Sequence, residues 1–419
     1  MNLSGSEGHQ QPRHDRRGFL RHAALAAAGS HMAPASVFTA PPKKRVAAIV
    51  TEYRYYSHAD VIIGRMLDGY TPNNTRVEPR TSIVSMYTDQ VPEKDLSRAA
   101  AAKHGFKIYP TIAEALTMGG DKLAVDAVLL IGEHGQYPDN EKGQKLYPRY
   151  ELFRQITDVF RRTGRSVPLF TDKHLSYSWA KAREMYELSH ALKFPMMAGS
   201  SIPVTVRVPA LSLAPGANLE NAVGVGYAGL DSYGFHALEG LQCMLERRRG
   251  AETGIAAVET LSGDAVWRWR DSARGRWSGP LLDAALGCLR QPRPGPIEQQ
   301  AKDVTLFRLE YRDGFQAVVY MLGQYIDDIM FAARVKGQTA PMATRFDLTR
   351  RALPHFDGLV DFIEQFFVTG KPLYPVERTL LTTGALEALL DAKHQGKRIE
   401  TPHLNVRYRA PRRDYHEYA

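Results

Sequence analysis

The sequence predicts an α/β chain in which a doubly wound, parallel Rossmann-like sheet is followed by an α+β domain built on an open, largely antiparallel sheet. Short apolar runs alternate with helix-spaced segments up to about residue 199, and residues 125–131 are a near-continuous apolar run. From residue 204 the pattern changes to strand-like pieces with few helices.

The apolar run at residues 45–50 reads as the first strand, and the spacing of Val61, Ile62, Met66 and Leu67 predicts a helix over 58–69. A strand at 81–87, a helix at 93–104, a short extended piece at 108–109 and a helix at 111–116 follow. Residues 125–131 have the composition of a strand covered on both faces of a parallel sheet. A helix at 149–163, a strand at 167–170 and a helix at 180–192 complete the alternation. Beyond it, strands are expected at 222–226, 255–261, 304–311 and 315–321, with one strongly helical stretch at 235–249. The interleaved cations and tryptophans from Trp267 to Trp277 predict an exposed strand pair, and the Pro-rich residues 291–296 a surface loop between strands. Helices at 359–367 and 380–394, separated by the Gly370-Lys371-Pro372 turn, end the pattern.

Ahead of the first strand, Asp15-Arg16-Arg17-Gly18-Phe19-Leu20-Arg21 precedes a weakly apolar, Ala-rich run at residues 23–28. This order of charged then apolar region is a twin-arginine export signal. The run is too short for a spanning helix, which takes about 20 residues, and Ala33-Pro34-Ala35 offers a cleavage site. The chain is therefore expected to use the twin-arginine export machinery, to be periplasmic or extracellular, and to keep no integral membrane segment. The domain reading is a signal peptide at 1–40, a Rossmann-like domain at 43–199, an α+β substrate and oligomerisation domain at 200–405, and a tail at 406–419.

With 44% apolar and 24% charged residues the composition is that of a globular protein. The roughly 380 residues left after the signal exceed one hydrophobic core. The net charge of +9 falls to +7 once residues 1–40, with four arginines against Glu7 and Asp15, are removed. An exported chain with so mild an excess is not expected to bind nucleic acid. Cys243 and Cys288 set no disulfide framework and are expected as two separately buried thiols.

A dinucleotide-type first domain, a sheet-based second domain, and a tail running from Gly370-Lys371-Pro372 through Val376-Glu377-Arg378 to Ala388 resemble the glucose-fructose oxidoreductase and inositol dehydrogenase (Gfo/Idh/MocA) family. The resemblance covers about residues 44–405. Asp172-Lys173-His174 sits where that family has Glu-Lys-Pro, and Tyr233-Gly234-Phe235-His236-Ala237-Leu238-Glu239 resembles its Gly-x-His-x-x-Asp segment. The resemblance implies a nicotinamide cofactor, NAD(P), a carbohydrate or polyol substrate, and a homo-oligomer.

The chain departs from that family where the phosphates should lie. A Gly-x-Gly-x-x-Gly loop lets backbone approach a pyrophosphate at a helix N-terminus; here the loop reads Thr51-Glu52-Tyr53-Arg54-Tyr55-Tyr56-Ser57-His58, without a glycine. Arg54 could still attract an anion, and Asp89 could accept from a ribose hydroxyl, although Thr88-Asp89 is equally a turn. Ligands of doubly wound sheets bind beyond the carboxyl ends of the strands, and three such ends carry Tyr53-Arg54-Tyr55-Tyr56-Ser57-His58, Glu133-His134 and Asp172-Lys173-His174. These are expected to converge. Lys173 is the natural proton donor or acceptor, with His236 approaching from the second domain and Asp172 and His174 beside them; Glu52, Arg54, His58, Asp89, Glu133 and His134 would face the cofactor. The same residue types permit a divalent metal instead, with His58, His134, His174 and His236 joined by Glu133, Asp172 or Glu239. That reading gives a sugar lyase, epimerase or hydrolase; a third gives a sugar-binding protein without chemistry.

Overall fold

Runs of side chains that cannot face water set the first sheet, and the computed structural model of the protein describes residues 42–349 and 353–415. The signal region expected at 1–40 and the end of the tail, 416–419, lie outside the described residues. In chain order the first half consists of β1 (Lys44–Val50), α1 (His58–Asp68), β2 (Thr81–Thr88), α2 (Ser97–His104), β3 (Lys107–Ile108), α3 (Ile112–Thr117), β4 (Ala127–Ile131), α4 (Arg149–Thr163), β5 (Leu169–Asp172), α5 (Trp179–Ala191) and β6 (Met196–Gly199). The strands form a six-stranded sheet in the order β3-β2-β1-β4-β5-β6, with every pairing parallel. All five residues of β4 are buried, as the continuous apolar run requires of a strand covered on both faces. The strand order reverses between β1 and β4, so the crevice above their carboxyl ends is where such a sheet receives a ligand.

The second half adds β7 (Arg207–Val208), β8 (Leu219–Gly226), α6 (Ser232–Leu245), β9 (Ile255–Ser262), α7 (Asp264–Asp271), α8 (Ser278–Leu286), α9 (Ile297–Gln300), β10 (Thr305–Tyr311), β11 (Gln316–Met321), β12 (Ile329–Val335), β13 (Met342–Phe346), α10 (His355–Thr369), α11 (Val376–Gln395) and β14 (Ile399–Glu400). Its eight-stranded sheet has the order β14-β9-β10-β11-β8-β12-β13-β7 and is antiparallel except where β11 runs parallel to β8. Side chains alternate along each strand with period two. Ala222, Phe307 and Val319 therefore join the main core, beside α6 and α11, whereas Val223, Leu306 and Tyr320 join a second core with α7, α8 and α9.

That second core corrects the expectation for residues 267–277. The segment is the end of α7 and the turn into α8, not a strand pair: Trp267 stacks on Tyr320 at 6.4 Å, and Leu281, Leu282 and Ala285 of α8 are buried against the sheet. The Trp-Arg-Trp-Arg alternation is four residues long, too short to separate period two from the helical 3.6. The Pro-rich residues 291–296 are exposed as predicted but connect α8 to α9, not two strands. Cys243 is buried and Cys288 half-buried, and both are free. No helix among the described residues is long and apolar enough to cross a membrane.

α11 ties the two sheets together. It packs on α5 and β6 on one side and on α6 and β9 on the other. Its buried Arg378 lies 3.6 Å from the buried Glu239 of α6, with its guanidinium over the Tyr374 and Tyr415 rings. Glu239 also accepts from the Thr382 hydroxyl and the Ser200 amide, which fixes α6 against the end of β6.

Candidate functional site

The loops after β1, β4 and β5 meet α6 around a cavity of about 710 Å³, within the usual size of a small-molecule site. His58, Glu133, His134, Lys173 and His236, all expected from the sequence, line it. Lys173 follows β5 directly. Its backbone is left-handed (φ 68°) and its amide donates to the Gly199 carbonyl at 3.0 Å, so the side chain turns into the cavity. His134, after β4, has the same φ of 68°. A non-glycine residue held there costs about 1–3 kcal/mol, and such strain concentrates at functional sites.

Two acid–base units result. In the first, the buried Lys173 Nζ lies 2.6 Å from His236 Nε2 and 3.5 Å from Glu133 Oε1. The ammonium donates to His236 Nε2, leaving His236 Nδ1 without a partner among the described residues. Burial, reinforced by the charge of Lys173, pushes His236 well below its ordinary range and keeps it neutral. Burial alone would raise Glu133, but Lys173 and Arg149 outweigh it and hold the carboxylate ionised. In the second unit, His58, in the first turn of α1, donates from Nδ1 to Oδ2 of the buried Asp172 at 2.7 Å. A carboxylate on Nδ1 selects the tautomer whose Nε2 accepts a proton. His134, 5.5 Å from the His58 ring, is lowered to about 4 by burial and by His58.

Other expected residues are placed elsewhere. His174 is buried under Phe235 and against Arg149 Nη1 at 3.0 Å, away from the cavity lining, because the residue after Lys173 turns back into the core. Glu52 is buried and paired with Arg54, and Arg54 reaches His134 Nδ1 at 3.3 Å. Glu239 braces α11. For the metal reading, no group of three or more His, Cys, Asp or Glu among the described residues is arranged to hold an ion.

Sequence reasoning missed Arg149, Asp231, His355 and the pairing of Tyr227 with Tyr233. Arg149 is fully buried and forms an ion pair with Glu133; its stem passes over Gly132, where a Cβ would lie 2.5 Å from Arg149 Cγ. His355, lowered to about 3 by burial and by Arg65, faces the cavity. Both open a helix, where the dipole disfavours a cation, and that misfit was the available signal. Burial raises Asp231, whose carboxylate accepts from the Lys145 amide at 3.0 Å. Tyr227 and Tyr233 both line the cavity and form a ring pair (4.6 Å); Tyr56, from the loop after β1, lines it as well and pairs with Tyr55 (4.5 Å).

The crest of the parallel sheet can be tested against the nicotinamide cofactor that the resemblance implies. Ser57 Oγ caps α1 by accepting from the Asp60 amide, and Asp60 Oδ2 accepts from the Tyr56 amide, so the helix N-terminus already holds a carboxylate. Thr51 donates to the Glu133 carbonyl at 2.7 Å across β1 and β4. Gln90 exchanges two hydrogen bonds with the Gln136 backbone, at 2.8 and 3.1 Å, spanning from β2 to the loop after β4. Asp89 accepts from the Tyr87 and Tyr137 hydroxyls instead of facing open space. The Asp60 carboxylate on the α1 N-terminus and the side chains tied across the crest do not fit a pyrophosphate in the usual place.

No protein-family model and no curated protein matches the sequence. Solved structures do match. GenD2 from gentamicin A biosynthesis, in complex with NAD, has a TM-score of 0.55 at 14% identity, covering 90% of this chain and 99% of that one. An oxidoreductase from Agrobacterium radiobacter, in complex with NAD+, L-tartaric acid and magnesium, has a TM-score of 0.53 at 12% identity, covering 86% and 98%. Apo scyllo-inositol dehydrogenase from Lactobacillus casei has a TM-score of 0.52 at 9% identity, covering 85% and 98%. At such identities the likeness is one of fold: this chain carries the two-domain fold of the Gfo/Idh/MocA type, in a sequence far diverged from its structural neighbours and with its own side chains on the crest of the first sheet.

Proposed function

We propose that this chain is an exported, sugar- or cyclitol-acting enzyme on an oxidoreductase-type fold, in which Lys173 takes and returns the proton of a substrate hydroxyl or carbonyl oxygen with His236 as its relay. The observation that carries the reading is the buried Lys173–His236 contact of 2.6 Å on the wall of the cavity. A lysine whose ammonium is shared with a neutral imidazole and an ionised carboxylate can release and recover a proton without leaving a charge unpaired. The lining suits a polyol: charged and hydroxyl-bearing groups at the floor, tyrosine faces at the rim. The neighbours bound to NAD support oxidoreductase chemistry. Because the crest does not fit the dinucleotide's pyrophosphate, no step is assigned to one.

The test is Lys173→Met, which keeps the stem and removes the ammonium. Turnover of the sugar or cyclitol that calorimetry shows to bind should fall at least about 100-fold, with its Kd within about threefold of the parent value. Equal losses in binding and turnover would make Lys173 a binding residue only. Export is tested separately with Arg16→Lys combined with Arg17→Lys, which should retain the protein in the cytoplasm; unchanged export would rule out the twin-arginine route.

A further inference from the structure

The two acid–base units and the tied crest, taken together, point to a reaction that the fold's neighbours do not suggest. We propose that the cavity catalyses a redox-neutral proton transfer at carbon, epimerising a sugar or cyclitol that carries a ketone or carboxylate beside the reacting carbon, with His58 and Lys173 as the two acid–base groups. This rests on the reading of the cavity as a sugar or cyclitol site.

Hydride transfer needs one proton-handling group, because the other product leaves as hydride. Inversion at a carbon acid needs two, one to remove a proton and another to deliver one to the opposite face. The cavity has two, and they are independently supported. Lys173 is held by Glu133 and His236, which belong to the loop after β4 and to α6; His58 comes from α1 and is oriented by Asp172. Asp172 and Lys173 are adjacent in the chain, so the two units are pinned to one backbone point while their partners reach it from different elements. The bond of His58 to Asp172 also ties α1 to β5 across the end of β4.

The chemistry balances without an oxidant. His58 Nε2, left as the accepting nitrogen by the Nδ1–Asp172 bond, takes the proton from the carbon next to the carbonyl, and the C–H electron pair moves into the carbonyl to give an enolate. The Lys173 ammonium stands ready to stabilise the oxygen and to deliver a proton to the other face, after which the carbonyl reforms. His58 loses its proton to solvent and Lys173 regains one. For the reverse epimer the roles exchange.

The experiment uses natively exported protein. Mass spectrometry of the denatured protein reports any dinucleotide, and calorimetry selects binders among D-fructose, 2-keto-myo-inositol, D-gluconate and D-glucuronate. Each binder is then incubated in D2O with no dinucleotide added, and deuterium gain at the carbon next to the carbonyl or carboxylate is followed by NMR. The expected result is exchange in dinucleotide-free protein, lowered at least about 100-fold by His58→Asn and by Lys173→Met, with unchanged far-UV circular dichroism. A dinucleotide released at one per chain, or exchange that begins only when NAD or NADP is added, overturns the inference. So does binding without exchange for every binder. Failure of all four probes to bind overturns instead the sugar or cyclitol reading on which it rests.

Discussion

At the scale of single residues, Asp172 decides which nitrogen of His58 carries the proton. Its Oδ2 accepts from His58 Nδ1 at 2.7 Å, while its buried Oδ1 has no partner among the described residues. Asp172→Asn keeps the shape but offers an amide that can present its NH2 to Nδ1 and so select the other tautomer, the fault that in a Ser-His-Asp triad costs roughly 10⁴-fold in kcat. Here a kcat loss of about 10²-fold or more is expected, with the urea midpoint shifted little. An unchanged kcat would show that His58 takes no part in proton transfer. Arg149 illustrates the opposite dependence. With no exposure and with Glu133 and His174 as partners, it is a cation whose removal would leave the buried Glu133 carboxylate balanced by Lys173 but without its closer partner.

At the scale of elements, the end of β6 shows how backbone places the site. Gly199 has φ 128° and its carbonyl accepts from the Lys173 amide; a Cβ there would lie 2.6 Å from Glu239 Oε2 and 2.9 Å from Thr379 Oγ1. Gly199→Ala should cost about 2–4 kcal/mol of stability, combining a strained φ with overpacking against a buried carboxylate. Gly64, on α1 with open space around it, is the contrast: Gly64→Ala should raise stability by about 0.5–1 kcal/mol. Chemical denaturation of the two variants checks both signs, and a neutral Gly199→Ala would remove the argument that β6 braces Lys173. The first five strands of the parallel sheet, the helix at 149–163 and the convergence of three strand ends were legible because apolar periodicity and parallel topology suffice to predict them, whereas β6, four residues long, was not predicted. What was not legible depended on partners distant in sequence. β12, β13 and the packing of α7 on the sheet need the second core to exist first, and His355 reaches the cavity only because α10 folds back beside α1.

For the whole molecule, the neutral histidines make stability depend on pH in a definite direction. His134 is lowered to about 4 by burial and His58, and His355 to about 3 by burial and Arg65. His174 and His236 are held well below their ordinary value by burial, with Arg149 and Lys173 respectively adding to it. Each is depressed relative to an unfolded value near 6.5. The unfolded chain therefore binds more protons than the folded one below that pH, and the contribution present above pH 6.5 is lost as pH falls, by about 1.4 kcal/mol per pH unit for each group fully engaged. Glu246 opposes this. Burial raises it from 4.5 to about 7, so between those values the folded state holds the extra proton and stability falls as pH rises. Asp231 and Glu387, also raised by burial, oppose the histidines beside Glu246, whereas His403, lowered by burial, joins them; the buried histidines are the larger set, so unfolding near pH 5 takes up protons. The urea midpoint should accordingly drop between pH 7 and pH 5, and His355→Phe should flatten that dependence by about one proton. A midpoint that stays level or rises on acidification would mean that the cavity histidines are not held neutral, and with them would go the assignment of His236 as the acceptor for Lys173.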